Sequence, residues 1–206
     1  MPRRFLSLFI KHIRNNLLLY FLCTLLLCVG IITGYMSTRS LTDVQNMELL
    51  NYLNGFFQLF SNTEISNSSV LLQSLANNFR ICFFVWIMGA TFIGIPIILI
   101  LISLRGFIFG FTLSFLVNRL QRKGIVFAMV SMLPSNIFIL PALIIIGVVA
   151  INFALYVFRN RSNGISNLVK DFIGYTIVIA SIFLLIILGS FIEAYFSVYL
   201  IKVFIS

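Results

Sequence analysis

Charge is what this sequence lacks. Asp, Glu, Lys and Arg make up only 9% of its 206 residues, against about 25% in a soluble domain, so the chain cannot cover a water-soluble surface. The scarcity also excludes chemistry. Hydrolytic and transfer sites need a nucleophile, a base or metal ligands close together, yet the chain has five acids, one histidine, no HExxH, no GxSxG and no P-loop. His12 lies in a basic amino-terminal segment, away from any apolar run, which removes an intramembrane Ser/His pair. Cys23, Cys28 and Cys82 form no CxxC pair, and all fall in apolar stretches where small helix- or lipid-facing residues are expected. The expectation is a protein that is not an enzyme, with no cofactor and no metal.

What is present is apolar side chain: 61% of residues, with a mean hydropathy of +1.11. The apolar runs are continuous, unlike the short alternating segments of an outer-membrane barrel, and predict an all-α integral membrane protein. Its net charge of +9 does not point to nucleic acid. The Lys and Arg residues sit mostly at the ends of apolar runs, where they set orientation and meet anionic lipid, so the expected partner is the bilayer. Arg3, Arg4, Lys11 and Arg14 precede the first run without an acid, predicting a cytoplasmic amino terminus. That first run is long enough to span, so the start does not read as a cleavable signal peptide. The expected membrane domain is single, 1–206, and multi-pass.

About five transmembrane helices are expected, near 17–36, 81–102, 104–120, 137–158 and 172–191, with an external loop at 37–78. Thr42-Asp-Val-Gln45 has the form of a capping box. Behind it, Leu49, Leu50, Leu53, Phe56, Phe57 and Phe60 recur at three- and four-residue spacing, the pattern of an external amphipathic helix. Leu53, Phe56 and Phe57 are the candidate partner-binding residues; a helix that merely caps the bundle is the alternative. Arg80 is placed just outside the second span, reaching to head groups. Gly106 and Gly110 form a GxxxG pair suited to close packing. Residues 105–124 read either as a third span or as part of a re-entrant pair, and the Lys/Arg balance favours neither. Glu193 follows a complete span beside Tyr195 and Tyr199, so it reads as an interfacial residue.

Ile125–Phe158 holds 34 residues without a charged side chain, too long for one span of roughly 20. Pro134 and Pro141 interrupt it. Proline removes a backbone donor and disfavours helix at the residue before it. The expected form is a half-helix to Leu133, an irregular segment at 134–136, and a span from about 137 to 158. The break reads as an architectural kink packed at the centre of the bundle, with Asn136 the one polar residue there to test for more.

The order of these elements resembles the stage II sporulation protein M family. The residues that carry the likeness are Tyr-Leu-Asn-Gly-Phe-Phe (52–57), Asn-Asn-Phe-Arg (77–80), Arg-Gly-Phe-Ile-Phe-Gly-Phe (105–111) and the Leu-Pro-x-Asn-x-x-x-x-Pro-Ala break (133–142). The broad superfamily often shows Pro-His-Gly and an acid at that break, where this chain has Pro134-Ser135-Asn136 and Ile139. The resemblance implies a non-enzymatic membrane scaffold required for engulfment during endospore formation. Such a scaffold would anchor two peptidoglycan hydrolases, an amidase/endopeptidase and a lytic transglycosylase, on the mother-cell side of the septal and engulfing membrane. The competing class is a permease-like transporter subunit, because broken helices at membrane depth often line substrate sites. A homo-oligomer stays open.

Overall fold

The computed structural model describes residues 11–62, 67–160 and 165–199, and these contain helices and no strand. After helical residues 11–15, α1 runs Leu17–Ser37 and closes in a 3-10 turn, Thr38–Ser40. Then follow α2 (Asp43–Asn62), α3 (Asn67–Gly89), α4 (Gly94–Ser131), α5 (Leu133–Arg159) and α6 (Ile165–Phe191). A π-helical segment, Ile192–Ser197, continues α6. Among the described residues, five helices are long and apolar enough to cross a membrane: Leu17–Ser40, Asn67–Gly89, Gly94–Asn118, Leu133–Arg159 and Leu168–Phe196. The chain is an all-α, multi-pass membrane protein.

Two span boundaries differ from the sequence reading. The stretch 81–102 is not one span, because the chain turns back at 90–93. There the Ala90 and Thr91 amides donate to the Ile87 and Met88 carbonyls, and Gly94 passes so close to Met88 that a side chain there would strike its carbonyl. Pro96 falls in the first turn of the next helix, where a missing amide hydrogen leaves no intrahelical bond unmade. The span before this turn begins at Asn67, so the polar residues 67–78 belong to a membrane helix and not to a loop. Two of them, Ser74 and Asn78, are buried and hydrogen-bonded inside the bundle, while Gln73 and Asn77 are exposed.

The second correction concerns 104–133. No re-entrant pair forms: α4 is continuous from Gly94 to Ser131, about 57 Å at 1.5 Å per residue, nearly twice the hydrocarbon thickness. The excess carries the part bearing Arg119, Arg122 and Lys123 beyond the apolar span. The break lies at Met132, and 134–136 is helical. Pro134 stands in the first turn of α5, where proline is accommodated, and Pro141 is inside that helix. Three donors converge on the Met132 carbonyl: the Asn136 amide at 3.3 Å, the Asn136 Nδ2 at 2.8 Å and the Ser135 hydroxyl at 3.3 Å. A carbonyl stranded by the interruption is thereby satisfied locally, as membrane burial demands.

Helix α5 is the centre of the bundle. Half of its most apolar window is buried, against 22–28% for the other spans, and it packs on α1, α3, α4, α6 and the π segment. Its core-facing residues are Ile139, Ala142, Leu143, Ile146, Ala150, Ile151 and Ala154, which meet Val85, Ile98, Ile102, Tyr175 and Ile186.

The tightest helix pair is α1 with α4. The Gly106–Gly110 pair finds its mate in Gly30–Gly34. A Cβ on Gly30 would strike the Ser103 carbonyl, one on Gly34 the Phe107 carbonyl, one on Gly106 the Leu27 carbonyl, and one on Gly110 the Ile31 carbonyl. Backbone therefore lies on backbone along two turns of each helix, which only glycine permits. By contrast α2, which begins at the capping box with Thr42 Oγ1 and Gln45 Oε1 exchanging bonds to each other's amides, has no substantial packing on the bundle among the described residues.

Substituting Gly34 or Gly110 by Leu should destabilise the detergent-solubilised protein by about 1–3 kcal/mol, the usual range for overpacking. Gly174→Ala, where a Cβ meets nothing, should be neutral or stabilising by up to about 1 kcal/mol. Thermal melts of the three variants against wild type check this ordering. In a background lacking native cysteines, cysteines placed at Gly124 and Asn163 should label from opposite faces of the membrane; labelling from one face would contradict five spans.

Candidate functional site: a polar cluster at mid-membrane

Arg105 lies near the middle of an otherwise apolar span, Gly94–Asn118, about 16 Å from its start and so close to the midplane of a core about 30 Å thick. Its Nη2 donates to the Asn78 Oδ1 at 3.1 Å. Asn78 Nδ2 in turn donates to Ser190 Oγ at 3.1 Å and, more weakly, to Ser74 Oγ at 3.4 Å. The Ser74 hydroxyl donates to Glu193 Oε2 at 2.6 Å. Ser74, Asn78 and Ser190 are almost wholly buried, 7%, 4% and 0% exposed.

Four local features bring these groups together. Ser74 and Asn78 are one helical turn apart on α3. Ser190 and Glu193 stand three apart across the junction where α6 becomes π-helical, and single-turn π segments recur at functional positions. The turn at 90–93 folds α4 back along α3, which sets Arg105 level with Asn78. The π segment packs on α3.

Every donor in this chain points the same way, from the guanidinium through the amide and hydroxyl to the carboxylate. Aligned dipoles between a positive and a negative end polarise one another and strengthen the series. Glu193 also lies within electrostatic reach of Arg105. An ionisable residue inside a membrane span is a functional candidate by default, and here the partners are identified. Beside Arg105 a small cleft, lined also by Ile81, Cys82, Ile139, Leu143 and Ile186, has room for about one water. Towards the 90–93 turn the core is apolar: Val85, Ile98, Ile102, Ile146 and Ala150. The polar chain thus runs from Glu193, near the end of its span, to mid-depth and stops.

The residues singled out from sequence lie elsewhere. Leu53 is half-buried on α2; Phe56 and Phe57 are on the same helix, their side chains outside the described set. Asn136 binds its own helix at Met132, and Pro141 is exposed. Glu193 is not simply interfacial. The sequence signal that would have found the cluster is the polar pairing at helical spacing, Ser74 with Asn78 and Ser190 with Glu193, together with one Arg in the middle of an apolar run. Outside the spans, His12 packs edge-on to Tyr20 at 6.1 Å, and partial burial lowers its pKa; its Nε2 finds no partner among the described residues. Cys23 and Cys82 are buried and Cys28 is exposed, and among the described residues no three His, Cys, Asp or Glu converge.

A second arginine stands at nearly the same depth. Arg80 is two residues from Asn78, about 14 Å from the end of α3, but on the outer face of that helix and exposed. An arginine at the centre of a membrane helix costs about 2.5–3.5 kcal/mol on insertion scales, and Arg80 has no hydrogen bond, ion pair or ring contact among the described residues.

Asn78→Leu should cost about 1–3 kcal/mol, because it strands the Arg105 guanidinium and removes the donor to the buried Ser190 hydroxyl. In a double-mutant cycle, Arg105→Met and Glu193→Gln should couple by about 0.5–3 kcal/mol, with the double variant less destabilised than the two single losses added together. Unfolding in mixed micelles measures both quantities, and strict additivity would show that the chain does not act as a unit.

None of the curated proteins compared with this chain matches it significantly, and no solved structure does. A family model does match, over residues 23–198, and its description is stage II sporulation protein M. The matched region takes in all five spans apart from the first turns of α1, and with it the glycine pair, the Met132 break and the whole Arg105–Glu193 chain. This chain belongs to the stage II sporulation protein M family.

Proposed function

We propose that this sporulation membrane protein acts as a non-enzymatic scaffold, which anchors and localises peptidoglycan-degrading enzymes at the septal and engulfing membrane. The enzymes in question are an amidase/endopeptidase and a lytic transglycosylase. The observation that carries the reading is α2. It is a capped amphipathic helix with Val44, Met47 and Tyr52 68–79% exposed and with Leu49, Leu50 and Leu53 of its apolar side half-buried. A 20-residue helix is about 30 Å long. Short links tie it to membrane helices at both ends, so it is held near the membrane surface, where an enzyme working on the adjacent wall would meet it.

With the amino terminus cytoplasmic, five spans put α2 on the outer face, the side on which peptidoglycan lies. By their spacing in the sequence, Leu53, Phe56 and Phe57 are the residues proposed to meet the hydrolases, and the bundle serves as the anchor. The permease reading draws no comparable support. The polar chain ends at Arg105 against an apolar core, and the Asn136 side chain is spent within its own helix.

Changing Leu53, Phe56 and Phe57 together to Asn should abolish co-purification of the two hydrolases from sporulating cells while leaving the melting temperature of the bundle unchanged. Hydrolases that localise normally in cells lacking the protein would sink the scaffold reading.

A further inference from the structure

The fold treats its two mid-membrane arginines differently. Arg105 faces inward and is answered by Asn78, Ser74 and Glu193. Arg80 faces outward and is answered by no polar or charged group among the described residues. It is not isolated on that face: Gln73, Asn77, Arg80 and Phe84 follow at spacings of four, three and four residues, so they form one stripe, and all four are exposed. Lipid-facing polar side chains at this depth are rare. Charged residues in spans almost always face a protein interior or a water-filled cavity and pair with another group.

Reaching out of the bilayer does not resolve this. Arg80 is about 14 Å from the near end of its helix, roughly twice the length of an extended arginine side chain. The hydrogen bond between Arg105 and Asn78 fixes the depth independently, since Arg105 has long apolar runs on both sides within its own span.

We propose that the Gln73–Asn77–Arg80 stripe of α3 is a docking face for a membrane-spanning helix of another protein, one that carries an Asp or Glu at mid-depth. Charge complementarity identifies the occupant. The guanidinium offers five donors, matching a carboxylate, while the flanking amides suit polar groups one turn away. A second copy of this chain does not fit. Its two carboxylates within a span stand three residues from either end of the last one, away from mid-depth, and both are engaged, Glu193 by Ser74 and Asp171 by Tyr156; Asp43, Glu48 and Glu64 precede α3 in the chain. This face is separate from α2, and the proposal does not depend on the scaffold reading.

The test uses the full-length protein in phosphatidylcholine vesicles. The probes are labelled Leu/Ala transmembrane peptides with a single central Glu, Gln or Leu, and association is read by energy transfer. The Glu peptide should associate roughly five- to thirtyfold more strongly than the Leu peptide, the range for interhelical hydrogen bonds in model peptides. That preference should vanish in R80A and in R80Q. Because Arg80 makes no hydrogen bond, ion pair or ring contact among the described residues, both variants should keep the helicity and melting behaviour of wild type. R80E should reverse the preference towards a peptide with a central Lys. Equal association of the Glu and Leu peptides, or a preference that survives R80A, overturns the proposal. So does a preference abolished by adding phosphatidylglycerol, which would assign Arg80 to lipid phosphate.

Discussion

A guanidinium at the midplane of a bilayer cannot be left to water, and the packing of α3, α4 and α6 follows from that constraint on Arg105. Its charge is matched through Asn78 and Ser74 to Glu193, so three segments distant in sequence are held by one series of bonds. Each member removed leaves at least one buried partner unmatched. This dependence is stronger than any single bond energy suggests, because membrane hydrogen bonds are individually modest while unmatched groups in hydrocarbon are costly. The π segment has its place in the same series, since it presents Glu193 to α3 just beyond Ser190.

The other half of the bundle is held by shape. The four glycines of α1 and α4 let the two backbones touch, a contact that needs no polar group and tolerates no side chain. Helix α5 fills the space between this pair and the polar cluster with Ile, Leu, Val and Ala. The break at Met132 is absorbed locally, by Asn136 and Ser135 bonding to the exposed carbonyl. The interruption that the prolines cause is thus a short corner at the end of a long helix, with the central span resuming at once.

Two faces remain for partners once these internal demands are met. One is α2, at the membrane surface. The other is the polar stripe of α3 at mid-depth. Both are the faces on which the proposed partners of this sporulation-family membrane protein would sit.

Much of this was legible in the residues. Apolar content set the class, because no other environment accepts it. The capping box at Thr42 and Gln45 formed as its spacing required, since a cap depends on neighbours in the chain. Gly106 and Gly110 announced close packing, although not against which helix. What sequence reading misplaced were the polar residues 67–80. Taken one by one they look like loop, and the apolar run that follows them, 81–102, looks like the span. Their fate depended on partners 27 to 119 residues away, Arg105, Ser190 and Glu193. The sequence by itself determined that this chain lives in a membrane and where its helices are apolar. Only the tertiary structure decided which polar groups are satisfied inside and which, Arg80 among them, are left facing out, because satisfaction of a buried donor belongs to the pair and cannot be read from either residue alone.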